Sequence, residues 1–193
     1  MIKKGIILAG GSGTRLSPLT KSVNKQLLPI HDKPMIFYPL SVMMLANIRN
    51  ILMIVNPGQI ENFKSLLGDG SRYGIEIVYK VQDKPRGLPD AFILGKTFID
   101  KDNVALILGD NFFYGQSLTK KLEKSSTHKS GATIFLKEVS SPENYGVAKI
   151  KKKKIEKIVE KPKKFVSNNA ITGLYFFDKN ISDYAKKLNK SKR

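Results

Sequence analysis

Cysteine is absent from the 193 residues, and so is tryptophan. Disulfides, thiolate metal sites and a cysteine nucleophile are therefore excluded. Histidine is nearly as scarce: His31 and His128 stand far apart in the sequence, which argues against a zinc enzyme. Long apolar runs are missing too. The longest, Met35 to Ala46, contains Pro39 and is too short to span a bilayer. At the start, Met1-Ile2-Lys3-Lys4 leads a short apolar run that Gly10-Gly11 interrupts, well below the core of a secretion signal. The expectation is a soluble cytoplasmic protein. A hydrophobic fraction of 41% suits one globular domain, and neither an internal repeat nor a Ser/Pro/Gly linker divides the chain.

Acidic residues are also few, 16 against 34 Lys and Arg, giving a formal charge of +18. Residues 1–100 hold 13 basic and 7 acidic groups, and residues 101–193 hold 21 and 9. Much of the excess lies in Lys149-Ile150-Lys151-Lys152-Lys153-Lys154. A nucleic-acid binder would interleave aromatics or line one helix face with cations. Here the lysines fall between two short alternating runs, so they read as a solvated hairpin tip. We expect no nucleic-acid partner, although the positive field would attract a phosphorylated small substrate.

What the chain does have is Leu8-Ala9-Gly10-Gly11-Ser12-Gly13-Thr14-Arg15, directly after the strand-like run Gly5-Ile6-Ile7-Leu8. Backbone nearly free of side chains can turn its N–H groups onto one anion. Arg15 adds a fork of donors, and Lys25 a point charge. The stretch is neither a Walker A loop nor a dinucleotide fingerprint. A phosphate cradle and a tight turn with an exposed arginine both fit it.

Short β-branched runs alternate with amphipathic segments, which predicts βα units and a largely parallel sheet. Strands are expected at 5–8, 50–55, 75–81, 103–108, 132–137 and 171–177, with a lysine-tipped hairpin before the last. Helices are expected from Pro34 to about Ile48, over 59–67, from Pro89, near 118–125 and over 180–189. Ser17 to Ile30 reads as a long loop.

Asp110 follows a buried strand, the edge at which α/β sheets bind ligands. Such a carboxylate suits Mg²⁺ beside phosphates; a turn aspartate is the plainer alternative. Glu160-Lys161-Pro162 fits sugar hydroxyls and a phosphate, or merely an exposed ion pair. Gln82 offers donor and acceptor to a base edge, or is simply a polar turn residue.

Taken together these residues resemble the sugar-1-phosphate nucleotidylyltransferases, in particular the thymidylyl-transferring branch. The likeness is carried by the glycine stretch through Leu16, Lys25-Gln26-Leu27-Leu28-Pro29 and Asp32-Lys33-Pro34-Met35-Ile36. It continues through Leu66-Leu67-Gly68-Asp69-Gly70, Leu108-Gly109-Asp110-Asn111, Tyr145-Gly146-Val147, Glu160-Lys161-Pro162 and Thr172-Gly173-Leu174-Tyr175. The resemblance implies a Rossmann-like three-layer α/β/α fold with a mixed, largely parallel sheet. It also implies Mg²⁺-dependent transfer of thymidylyl from dTTP to glucose 1-phosphate, with release of pyrophosphate. By the same resemblance, Arg15, Lys25 and Asp110 would be catalytic, and Asp110 the metal ligand. Leu8, Gly10, Gly11, Ser12, Gly13, Thr14, Arg15, Gln26, Gln82, Pro85, Gly87 and Leu88 would hold the nucleotide. Asn111, Tyr145, Gly146, Glu160, Lys161 and Ile171 would surround the sugar phosphate.

The chain departs from the family in three places. The family runs on into a Gly-Glu-Leu-Glu-Ile-Thr-Asp stretch bearing a second Mg²⁺ ligand, so residues 1–193 read as a catalytic domain truncated at its C-terminus. Relatives are homo-oligomeric, a property the resemblance does not carry to a shortened chain. Pro89-Asp90 stands where Ala-Gln is usual, and Gln116 where many relatives have histidine. A binding module without turnover, or the same chemistry on another nucleotide or sugar, stays open.

Overall fold

A computed structural model describes residues 1–188 apart from Ser12, Pro85, His128 and Lys153. In chain order the strands are β1 (Lys4–Ala9), β2 (Pro29–Ile30), β3 (Lys33–Pro34), β4 (Asn50–Val55) and β5 (Glu76–Val81). They continue with β6 (Val104–Leu108), β7 (Ala132–Glu138), β8 (Gly146–Lys151), β9 (Lys154–Glu160) and β10 (Asn169–Phe177). The helices are α1 (Phe37–Leu45), α2 (Ile60–Leu67), α3 (Leu88–Leu94), α4 (Lys96–Ile99), α5 (Leu118–Ser126) and α6 (Ile181–Lys187).

One sheet carries the order β5-β4-β1-β6-β10-β8-β9, with β7 paired to β10. Pairing is parallel among β5, β4, β1 and β6, and antiparallel from β10 onward. The sheet is thus mixed, with its parallel part at one side.

Alternation along the parallel strands sends side chains to two apolar layers. Ile7, Ile51, Met53 and Ile107 pack with residues of α1, α2 and α5. Ile6, Leu52, Ile54 and Leu106 pack with Ala91, Phe92, Ile99 and Ala185 of α3, α4 and α6. Both faces being covered, β4 and β6 read as nearly unbroken apolar runs in sequence. The three-layer expectation is borne out.

Topology fixes where a ligand can enter. From β1 the chain steps outward to β4 and β5, then returns to the other side of β1 as β6. The carboxyl ends of β1 and β6 therefore flank a switch point, where the crossover connections diverge and leave a crevice.

Some boundaries moved. The helix expected from Pro34 begins at Phe37, because Lys33–Pro34 pairs antiparallel with Pro29–Ile30. Met35 N–H also donates to Leu28 O at 2.9 Å, and Ile36 N–H to Gln26 O at 2.9 Å, which commits two donors to the loop rather than to a first helical turn. That helix stops at Leu45, short of Ile48, as Asn47 turns left-handed with φ 59°. The 180–189 helix is α6; its expected last residue, Asn189, lies outside the described residues.

On α2, Phe63 is fully buried. Phe63→Ala should lower unfolding free energy by about 3–5 kcal/mol, read as a lower urea midpoint at unchanged slope. A change below about 0.5 kcal/mol would contradict the packing described.

Candidate active site

Strand ends build the site. Leu8 pairs with Ile54 on one side and with Leu108 on the other. Gly109 N–H donates to Leu8 O at 2.9 Å. Consequently the glycine bend after β1, Asn56 after β4 and Asp110 after β6 emerge side by side. Gln82 follows β5 and donates its backbone N–H to Val55 O at 2.9 Å.

The bend is held by amides. Asn56 clamps the Gly11 peptide from both sides: Gly11 N–H donates to Asn56 Oδ1 at 3.1 Å, and Asn56 Nδ2 donates to Gly11 O at 3.0 Å. Buried Asn24 donates to Ala9 O at 3.4 Å and accepts from Gln26 N–H at 2.9 Å. Gln26 Nε2 reaches Gly10 O at 3.4 Å, and Thr20 Oγ1 donates to Gly13 O at 2.9 Å. Gly11 and Gly13 have φ of 112° and 58°, a region that disfavours side chains. At Gly13 a Cβ would also come within 2.8 Å of Thr20 Cγ2.

Across the mouth of this bend, Lys25 Nζ meets Asp110 Oδ2 at 2.5 Å. Their side chains are 27% and 32% exposed, so the pair contributes little to stability. Its consequence is chemical. An ammonium and a carboxylate face one space, where an anion can take the first and a cation the second. Among the described residues no group of three or more His, Asp or Glu is arranged to hold a metal. A hard divalent ion could use Asp110 only in company with water and a ligand's own oxygens.

Gln26 carries a second signal. The residue is 2% exposed, and its Oε1 has no hydrogen-bond partner among the described residues. Native proteins rarely leave a buried acceptor unpaired.

On the other side of β6, Asn111 Nδ2 donates to Thr172 O, tying the β6 end to β10. Gly146 is paired with Glu160, and Lys161 N–H donates to Tyr145 O at 2.9 Å. A Cβ on Gly146 would lie 3.8 Å from Ile171 Cδ1. The predicted sugar-side residues therefore share one wall. Tyr175 lies near them, and its phenol pKa is pushed up by burial first and the Glu160 carboxylate second. Beyond Asp110, a cleft of about 570 Å³ opens between the 110–116 loop, the start of α5 and β7, lined in part by Asn111, Phe113, Phe135 and Thr172.

Of the predicted residues, Gly10, Gly11, Gly13, Lys25, Gln26, Gln82, Asp110 and Asn111 surround the crevice. Gly87 and Leu88 open α3 beside it. Thr14 and Arg15 lie on an exposed 3₁₀ turn continuing the bend. Ser12 and Pro85 fall outside the described residues. Asn24, Asn56 and Asp90 were not singled out as site residues, although each carried a signal. Asn24 caps the turn bearing Lys25, and Asn56 ends a buried strand just as Asp110 does.

A profile described as nucleotidyl transferase matches residues 4–193. A glucose-1-phosphate thymidylyltransferase of Neisseria meningitidis is 54% identical over 191 residues, 98% of this chain and 66% of that protein. Another of that name, from Mycolicibacterium smegmatis, is 49% identical over 98% of this chain and 66% of the relative. The chain thus spans slightly under two thirds of the relatives' length. A Bacillus anthracis crystal structure, assigned as a glucose-1-phosphate thymidylyltransferase with sucrose bound, superposes with a TM-score of 0.89 at 40% identity, covering 96% of this chain and 75% of that one. A UDP-glucose pyrophosphorylase complexed with UDP-glucose gives 0.84 at 25% identity, covering 100% and 82%.

The Asn56 clamp makes a local prediction. Asn56→Ala should leave the fold intact while loosening the bend by about 1 kcal/mol, so Gly11 N–H exchanges about fivefold faster. Exchange by NMR at an unchanged rate would show that the clamp does not hold the bend.

Proposed function

The chain belongs to the nucleotidyl transferase family, and from that premise we propose that it transfers a thymidylyl group from dTTP to α-D-glucose 1-phosphate, releasing pyrophosphate. The observation that carries this reading is the Lys25–Asp110 pair at the mouth of the glycine bend. Opposite charges waiting in one crevice suit a ligand that brings both an anion and a cation. A nucleoside triphosphate with its divalent ion is such a ligand. The names of relatives 47–54% identical support the choice of nucleotide and sugar.

In this reading Gly10 to Arg15 wraps the triphosphate, its backbone N–H groups and the Arg15 guanidinium meeting phosphate oxygens. Lys25 leaves Asp110 for the phosphates and neutralises charge that builds as pyrophosphate departs. Asp110, thus freed, would be the chain's ligand to Mg²⁺. When bound, the ion supplies charge neutralisation at the phosphates. Gln82 reads the base edge, with Leu8, Gly87 and Leu88 framing the ring. Gln26 Oε1, without a partner among the described residues, accepts a hydroxyl or N–H of the nucleoside.

On the facing wall, Asn111, Tyr145, Gly146, Glu160 and Ile171 hold the glucose, and Lys161 its phosphate. That phosphate is already ionised near neutral pH, so its oxygen attacks the α-phosphorus without a general base. Catalysis then consists of alignment and charge stabilisation. No helix of the described residues is long and apolar enough to cross a membrane, and we place the reaction in the cytoplasm, where nucleotides are made.

Pyrophosphate release from dTTP and glucose 1-phosphate should require Mg²⁺. Lys25→Ala and Asp110→Ala should each lower kcat by about 10²–10³. Calorimetry with dTTP separates lost binding from lost turnover. Rates unaffected by both changes, or a clear preference for another nucleotide or sugar phosphate in a substrate panel, would overturn the assignment.

A further inference from the structure

The role proposed above uses Gln82 but not its neighbour Asp90, an acid buried on α3. One oxygen of Asp90 accepts from Gln82 Nε2 at 2.7 Å, and the other lies 3.8 Å from Arg86 Nη1. Carboxylate oxygens accept and have nothing to donate, so the NH₂ end of Gln82 must face Asp90. The hydrogen-bond chemistry therefore assigns the amide's direction, which atom positions alone seldom do. Its Oε1 is left on the Gly10 side, 3.4 Å from where a Cβ on Gly10 would stand. Gln82 is only 5% exposed, so water does little to satisfy a reversed amide whose oxygen would face the Asp90 carboxylate.

We propose that Asp90 is a specificity-positioning residue. By holding the Gln82 amide one way round, it selects pyrimidines that carry N–H at ring position 3 over those with a bare nitrogen there. The inference rests on the nucleotide-binding reading above. Thymine and uracil donate from that position, whereas cytosine presents a lone pair and would set two acceptors face to face. An amide turned over offers the opposite pattern. Sites that lock one hydrogen-bond direction discriminate well, because the wrong partner leaves buried polar groups unpaired.

Calorimetry of the protein with dTTP and dCTP, at constant Mg²⁺, tests this. Unaltered protein should bind dTTP at least about tenfold more tightly than dCTP. Asp90→Asn keeps the shape but can donate as well as accept, so the Gln82 amide is free to reverse. The dTTP/dCTP ratio should then fall by about tenfold, chiefly through tighter dCTP binding. Loss of structure would not produce such a gain. Equal affinities in the unaltered protein, which need no variant, would overturn the role of Asp90, as would an unchanged ratio in folded Asp90→Asn. Either result leaves the nucleotide reading standing. If the unaltered protein binds neither nucleotide, that reading fails first and the inference goes with it.

Discussion

The contact between Lys25 and Asp110 joins two loops that leave adjacent parallel strands, and the site depends on that meeting. It exists because Leu8 is in register with Leu108 and Gly109 N–H closes onto Leu8 O. Register, in turn, follows from two apolar faces: a slip of one residue would turn Ile6 and Ile7 into the wrong layers. The hydrophobic pattern of β1 and β6 thus sets the distance between an ammonium and a carboxylate. Neither charge helps the fold much at its exposure. Their separation costs little, and a charged ligand can divide them.

Neutral amides do the positioning around those charges. Asn24, Asn56 and Gln26 fasten backbone, and Gln82 is itself held by the Asp90 carboxylate. Each amide both donates and accepts, which lets it bridge a bend with exposed peptide groups on both sides. Lys25 and Asp110, kept clear of this work, stay available for a ligand. The +18 charge adds a field that favours anions near the crevice, while Lys149, Lys151, Lys152 and Lys154 of the β8–β9 hairpin are exposed as the sequence implies.

Much of the architecture was legible in the sequence. Asn50–Val55 matches its expected strand residue for residue, because a strand buried on both faces leaves an uninterrupted apolar run. The α2 stripe of Ile60, Phe63 and Leu67 was equally plain. The start of α1 was not legible, since Pro34 permits a helix start as readily as the two-residue pairing it adopts. Among candidate site residues, glycines and charges were found by motif, whereas Asn56 and Asp90 were passed over. Asparagine at a strand end has many structural uses, and the clamp on Gly11 lies 45 residues away in sequence. Asp90 stood out only as a departure from the family pattern. Its bond to Gln82 gives that departure a physical meaning.

The central claim is that the glycine bend and the Lys25–Asp110 pair together await a nucleotide's phosphates. A crystal structure of the protein grown with dTTP and Mg²⁺ tests this most directly. The account predicts phosphate oxygens against the Gly13 N–H and the Arg15 guanidinium, with the Asn56 clamp on Gly11 kept and Lys25 Nζ drawn from Asp110 onto the phosphate chain. A nucleotide bound elsewhere, with Lys25 and Asp110 still paired across an empty bend, would contradict it.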